Sequence, residues 1–524
     1  MKTRLLIICG LLGGMVFHSC YKDLGNYDYR EINEVMIGEA GFVDTTYNYV
    51  SFVDTLRITP EVENSIIQDL DNYEFRWILN GEDEIGHEKD LIWPVNRPQG
   101  GYTLFFRIKD KSTGVVVTRS VNVNLTTNFS TGWLVWGENE NGEAQLDMLA
   151  FINNGRDTVL MKNILNGSDL PVLKKPTFLF LPTFSMGGND IQLGSEDGTY
   201  KLDRNDLTPI EDAHLKYSFW DPSSVESCVL QNANRAMSLQ VEVIDGNLYF
   251  DNDRFVNKFE KIGNPSNHYK GDYTLFKIGE KIGFDLYYRT GPIIIAYDDD
   301  NKRFVYQGAY SGAEAVGYCA PIPNLVVNDD YWTPGKDFVT MINSYSTMIS
   351  NYTILKDPGA SSPADYYLYP CKINSGFTDA SVTHNNWQPQ QLTNATDIDK
   401  AEFFACSSQK TVIFYTVGSR LYGYDYSTAR GKLLLDFADE DRIAEDGNLV
   451  TEVITAIWNE QYTGFSMTHP DEFYIGLNDP VKPASVAGRM VGYRVVDNPN
   501  DIVIEEIPGT SRKGLCKIVS MAYK

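Results

Sequence analysis

The residues best suited to hold a ligand are aromatic side chains set in polar loops. Tyr331-Trp332 follows Asn328-Asp329-Asp330, Trp387 follows His384-Asn385-Asn386, and Tyr217, Phe219 and Trp220 precede the turn-like Asp221-Pro222. A flat ring beside an amide or carboxylate can stack on a sugar while the polar group binds its hydroxyls. Trp220, Tyr331, Trp332 and Trp387 are therefore the candidate binding residues, the competing reading being that each caps a core. Three acidic loops, Asp251-Asn252-Asp253, Asp298-Asp299-Asp300-Asn301 and Asp439-Glu440-Asp441, offer the hard oxygens that calcium takes. None has the spacing of a calcium-binding helix–loop–helix, and Asp and Asn serve ordinary turns as well. No cofactor is implied, and calcium is the one ion these loops would suit. His87, His214, His268, His384 and His469 are scattered, so no metal ligand set is assigned. A Gly-x-Ser-x-Gly elbow, a His-Glu-x-x-His helix and a phosphate-binding loop are all missing. With no catalytic residue to name, binding is expected rather than catalysis.

The elements that would position these residues are strands. Tyr73, Phe75, Trp77 and Leu79 alternate with Glu74, Arg76 and Ile78, the period of a strand with an aromatic inner face. Asn80-Gly81 follows as a tight turn, and Gly101 to Ile108, Val115-Val116-Val117 and Val121 to Leu125 supply further strands. Residues 34–128 are expected to form an immunoglobulin-like sandwich with Trp77 in its core. From 132 to 524 hairpins recur. Turns at Asp197-Gly198, Asp245-Gly246, Asp298 to Asn301, Gly418-Ser419 and Asp497 to Asn500 each separate one strand from the next. Repeated four-stranded units are how a β-propeller is written. Seven blades are preferred within a range of six to eight, and Lys517 to Ala522 is expected to close the ring near Trp133. Stacked sandwiches are the alternative, because the repeat is irregular. Trp133 and Trp136 are assigned to the core.

The chain has 524 residues, 43% of them hydrophobic, with 32 tyrosines and 26 phenylalanines, which indicates a folded protein of more than one domain. Its formal net charge of −25, with no basic cluster, excludes nucleic acid as a partner. The opening stretch carries Lys2 and Arg4, an apolar run from Leu5 to Phe17, and then Ser19-Cys20 before Tyr21-Lys22-Asp23. That is a secretory signal, with an apolar run too short to span a bilayer. Residues 1–19 are the expected signal and 20–33 a polar tether. With Cys9 lost and Cys20 modified, Cys228, Cys319, Cys371, Cys406 and Cys516 remain. Five is odd and no pair is close in sequence, so buried free thiols are expected for most of them.

Phe17-His18-Ser19-Cys20 resembles the bacterial lipoprotein signal, which implies that Cys20 is lipidated and becomes the mature N-terminus. Lys22 and Asp23 behind it resemble the surface-export signal of Bacteroidetes lipoproteins. Tyr73 to Trp77 paired with Gly101 to Leu104 and Asp110 is similar to the PKD form of the sandwich. Together with Tyr27-Asp28-Tyr29 and with Gly132-Trp133-Leu134-Val135 leading into Leu146-Asp147-Met148-Leu149, the chain resembles the PKD-like-family lipoproteins of Bacteroidetes. The resemblance implies an accessory to SusC/SusD-type outer-membrane importers, anchored by lipid in the outer membrane and exposed at the cell surface. The expected function is non-catalytic binding of a nutrient, glycan or peptide, or of an importer partner. A secreted-side polysaccharide hydrolase or lyase built on the propeller is the alternative, since paired carboxylates are brought together only by the fold.

Overall fold

The computed structural model describes residues 33–524 apart from short gaps and the longer segments 183–189, 253–259, 262–282, 286–292, 308–319, 322–329, 375–380, 439–451 and 460–470. Strands and short 3₁₀ turns make up all of its regular elements. By its contacts the chain divides into two compact units. The smaller takes in residues up to 47, with 57–93 and 102–122, and the larger takes in 48–56, 94–101 and 123–524.

In the N-terminal region, a five-stranded sheet runs in the order Thr46–Val50, Val116–Thr126, Gly100–Asp110, Tyr73–Leu79, Asp83–Gly86. A pair of ribbons accompanies it, Val35–Ile37 with Val62–Asn64 and Thr55–Ile58 with Leu91–Pro94. Trp77 and Phe106 are both fully buried, with ring centroids 4.3 Å apart. The indole nitrogen of Trp77 donates to Glu88 O at 2.9 Å, so the one polar atom of that ring is satisfied. This is the core tryptophan the alternating strand requires.

One end of this unit is organised by Asp110, which is 1% exposed. Its carboxylate accepts from Ser112 Oγ at 2.6 Å, Ser112 N at 2.8 Å, and the side-chain amides of Asn33 and Asn72 at 3.0 Å. The hydrogen bonds from Ser112 and Asn33 hold the carboxyl well below its usual range. Asn33 in turn accepts the amides of Ile66 and Ile67 at 3.1 Å, so the start of the described chain is fastened to this end.

Among the described residues the larger unit contains seven antiparallel sheets, five of four strands and two with a fifth strand added to a four-stranded path. The second is formed by Pro176–Phe180, Ile191–Ser195, Gly198–Leu202 and Pro209–His214, and the third by Leu230–Ala236, Leu239–Ile244, Asn247–Asn252 and Glu260–Lys261. The fourth comprises Gly283–Asp285, Ile293–Asp298, Arg303–Gln307 and Ala320–Pro321. Asp337–Asn343, Asn351–Lys356, Tyr366–Asn374 and Ser381–Thr383 make the fifth, with Gln390–Gln391 added to its third strand. The sixth is Phe404–Cys406, Val412–Val417, Arg420–Asp425 and Arg430–Asp436. The seventh is Val453–Asn459, Glu472–Asn478, Gly488–Val496 and Val503–Glu506, with Arg512–Leu515 alongside. The four-stranded path of each of these six sheets is a meander, as expected when short turns join consecutive strands. Buried apolar clusters fill six of the seams between consecutive sheets, including that between the seventh and the first. This is a propeller of seven blades.

The first sheet closes the ring. Gly132–Glu138, Ala144–Ile152 and Asp157–Met161 come from the start of the unit, and the fourth strand is Lys517–Tyr523. Trp133 stands opposite Tyr523 and Glu138 opposite Lys517. Gly132 and Lys524 exchange both main-chain hydrogen bonds, at 3.1 and 2.7 Å. A Cβ on Gly137 would lie 2.1 Å from Lys517 O, so only glycine lets the two strands meet there. Asp147, fully buried, fastens the closure by accepting from Gln145 Nε2 at 2.7 Å and from the amides of Asn163 and Cys516 at 2.8 Å. Lys162 Nζ lies 3.1 Å from the same carboxylate. Cys228, Cys371, Cys406 and Cys516 are buried free thiols. Cys319 lies outside the described residues.

Candidate functional site

A cleft of about 520 Å³, open to solvent, lies where loops of the fifth and sixth sheets meet. Its lining comprises Pro363, Thr393, Asn394, Thr396, Thr428, Ala429, Arg430 and Gly431. Local rules build one wall. Asp425 ends a strand and its carboxylate accepts from Ser427 N at 2.9 Å, Ser427 Oγ at 2.8 Å, Thr411 Oγ1 at 2.7 Å and Thr428 Oγ1 at 2.8 Å. Burial pushes the Asp425 carboxyl up, and those hydrogen bonds outweigh it, so the group is held below its usual range. The turn this creates places Ala429 at φ +52° and delivers Arg430 and Gly431 to the rim.

The second wall is the loop from Thr393 to Thr396. Asn394 Nδ2 donates to Ala429 O at 2.8 Å, and a Cβ on Gly431 would sit 2.0 Å from Asn394 O. The two walls touch through backbone that only a glycine permits. Tyr415 OH donates to Thr396 O at 2.8 Å and fixes the far end of the loop. Beyond it, Asp397 accepts from Lys400 Nζ at 2.7 Å, which holds its carboxyl below the usual range. Arg430 reaches across to Asn500 O at 2.5 Å with one guanidinium nitrogen.

The lining is thus one guanidinium, one side-chain amide and three threonines beside a proline ring. Such a set can donate to and accept from hydroxyls, or pair a carboxylate with Arg430. Among the described residues, no carboxylate or imidazole side chain belongs to the lining.

The aromatic candidates fare differently. Tyr331 and Trp332 are 4% and 1% exposed, in the core shared by the fourth and fifth sheets. Trp332 meets Phe304 edge-on at 5.6 Å, and Tyr331 stacks on His384 at 4.4 Å. With no free face, neither ring can stack on a ligand, and the expectation that they bind one is corrected. Trp387 is half-buried against the core between the fifth and sixth sheets, with its amide donating to His384 O at 2.7 Å. Phe219 is core, and Tyr217 is exposed with Lys216 Nζ 5.2 Å from its ring centre. Trp220 and Cys20 lie outside the described residues.

The acidic turn at Asp298 is occupied by its own chain. Asp298 is fully buried and accepts from Asn301 N, Asn301 Nδ2 and Arg303 Nε at 3.0, 2.8 and 2.9 Å. Asp299 pairs with Lys302 at 2.9 Å. These bonds account for the acidic run as turn chemistry. Asp253 and the loop Asp439-Glu440-Asp441 lie outside the described residues. Among the described residues no group of three His, Cys, Asp or Glu side chains is placed to hold a metal ion.

The family model of the PKD-like family matches residues 20–171. No curated protein matches the chain. Among solved structures, a quinonprotein alcohol dehydrogenase-like protein of Bacteroides thetaiotaomicron is similar, at 13% identity over 93% of this chain and 99% of its own, with a TM-score of 0.45. The N-terminal domain of Nup159 is similar at 10% identity over 68% of this chain and 94% of its own, with a TM-score of 0.29.

Proposed function

We propose that the protein is a non-catalytic lipoprotein of the outer membrane that is exposed at the cell surface and holds a nutrient, glycan or peptide, or an importer partner, on its seven-sheet ring. The observation that carries this reading is the extent of the PKD-like match. It starts at Cys20, the residue the signal assigns to lipid, and runs through the sandwich into the first sheet. No helix among the described residues is long and apolar enough to cross a membrane, and an acyl chain on Cys20 supplies attachment by another route. The cleft around Arg430 supports the binding half of the reading, because its groups suit recognition of hydroxyls or a carboxylate.

Cys20→Ala is expected to move the protein from membrane fractions to the soluble fraction, and retention in the membrane would refute the lipid anchor. Calorimetric titration with oligosaccharides and peptides is expected to show saturable binding that Arg430→Ala weakens by about 1.5–3 kcal/mol, the range of a hydrogen bond to a charged group. Products released from the same mixtures would overturn the non-catalytic reading. Mass spectrometry after gentle detergent extraction distinguishes the two kinds of occupant. A stoichiometric transporter marks an importer partner, and the protein recovered alone marks a free-standing capture protein.

A further inference from the structure

We infer that the Asp110 end of the N-terminal unit rests on the lipid surface, with Ile66, Leu70, Val115 and Val116 in contact with it. This rests on the lipid-anchor reading of Cys20. Ile66, Leu70, Val115 and Val116 are 48%, 42%, 49% and 53% exposed. Scattered apolar side chains on a surface need no explanation, whereas a cluster does. Hydrogen bonds bring the backbone segments that carry these residues to the Asp110 end. The amides of Ile66 and Ile67 donate to Asn33 Oδ1, Asn33 Nδ2 donates to Asp110, and Asp110 N donates to Val115 O at 2.9 Å. Lys111 closes the circle by donating its amide to Asn72 O at 3.0 Å and its ammonium to Asp71 O at 2.8 Å.

The position of the tether names the occupant. Asn33 is fastened to this end, and 12 residues lie between it and Cys20. Fully extended, a chain of that length reaches at most about 45 Å. A lipidated Cys20 therefore holds the bilayer within a few tens of ångströms of these four side chains. At such effective concentration a contact too weak to bind alone becomes populated. The rim carries Lys111, Ser112 and Thr113 at the turn, with Asp69 and Asp71 beside them, a polar ring that can stay among headgroups while the aliphatic tips enter the interface. The contact would set the orientation of the unit on the membrane and would leave attachment itself to the lipid.

The test uses the full-length lipidated protein in phosphatidylethanolamine–phosphatidylglycerol vesicles. Val116→Cys, and Ile92→Cys as control, each in a Cys319→Ser background, are labelled with an environment-sensitive fluorophore. Ile92 is 61% exposed on the strand Leu91–Pro94, and the four other described cysteines are buried. Quenching by spin-labelled lipid is expected to be at least threefold greater at position 116 than at position 92. Equal quenching on vesicle-bound, acylated protein would overturn the inference while leaving the anchor intact. A label at position 116 already shielded in the soluble Cys20→Ala protein would overturn it too, since another segment of the chain would then cover the patch. Absence of acyl mass on Cys20, with no vesicle binding, would overturn the anchor reading and the inference with it.

Discussion

Trp332 shows what decides burial at the scale of single residues. Its sequence neighbours Asn328, Asp329 and Asp330 suggest a wet loop, yet Phe304 from one sheet and Tyr369 from the next enclose the pair it forms with Tyr331. Those partners lie tens of residues away, so nothing within the local window could report them. Trp332→Ala is expected to cost about 3–5 kcal/mol, as for other large-to-small changes of buried aromatics, and to lower the melting temperature. An unchanged melting temperature would show that the ring is not packed. Asp110 makes the opposite case, because its partners Ser112 and Thr113 follow it directly and the turn was legible in the sequence as a break between strands. Its folded pKa lies below that of the unfolded chain, so its stabilisation is full above the ordinary carboxyl range, near pH 4, and is lost as pH falls through the depressed value. Asp110→Asn is therefore expected to flatten the acid limb of the stability curve, measured by denaturant unfolding between pH 2 and 5. An acid limb identical to the parent's would rule Asp110 out as its source.

Hairpins were the most legible elements, for a physical reason. Asp197-Gly198, Asp245-Gly246 and Gly418-Ser419 fix both the reversal and the register of the strands they join, and every such turn falls between neighbouring strands of one sheet. The closing strand was legible from its pattern and position, and Trp133 does face Tyr523. The cleft was not, because Pro363, the 393–396 loop and the 428–431 turn come from separate elements and share no motif. The only local signals were the Asp425-x-Ser-Thr turn and the glycine at 431. The buried carboxylate of Asp147 escaped as well, since an isolated Asp inside an apolar strand could equally face out. Asp147→Ala deprives the amides of Asn163 and Cys516 of their acceptor, at about 1–3 kcal/mol each. It should therefore lower the ring's melting temperature by calorimetry more than removal of the exposed pair at Lys175 and Glu196 does; equal effects would deny the closure any special role.

At the scale of the whole chain, order of synthesis meets order of contact. Asp147 and Cys516 are 369 residues apart, and the first sheet lacks its fourth strand until the last residues arrive. Contacts of such separation are made late, after the loop-closure entropy of everything between them has been met. Until then Gly132–Glu138 offers a row of unpaired amides and carbonyls beside Trp133 and Trp136, the kind of edge on which chains add to one another. The chain is thus at its stickiest while it is still being made. Whatever escorts it has to shield that one strand, and a chain cut short by a few residues would emerge with its edge still bare.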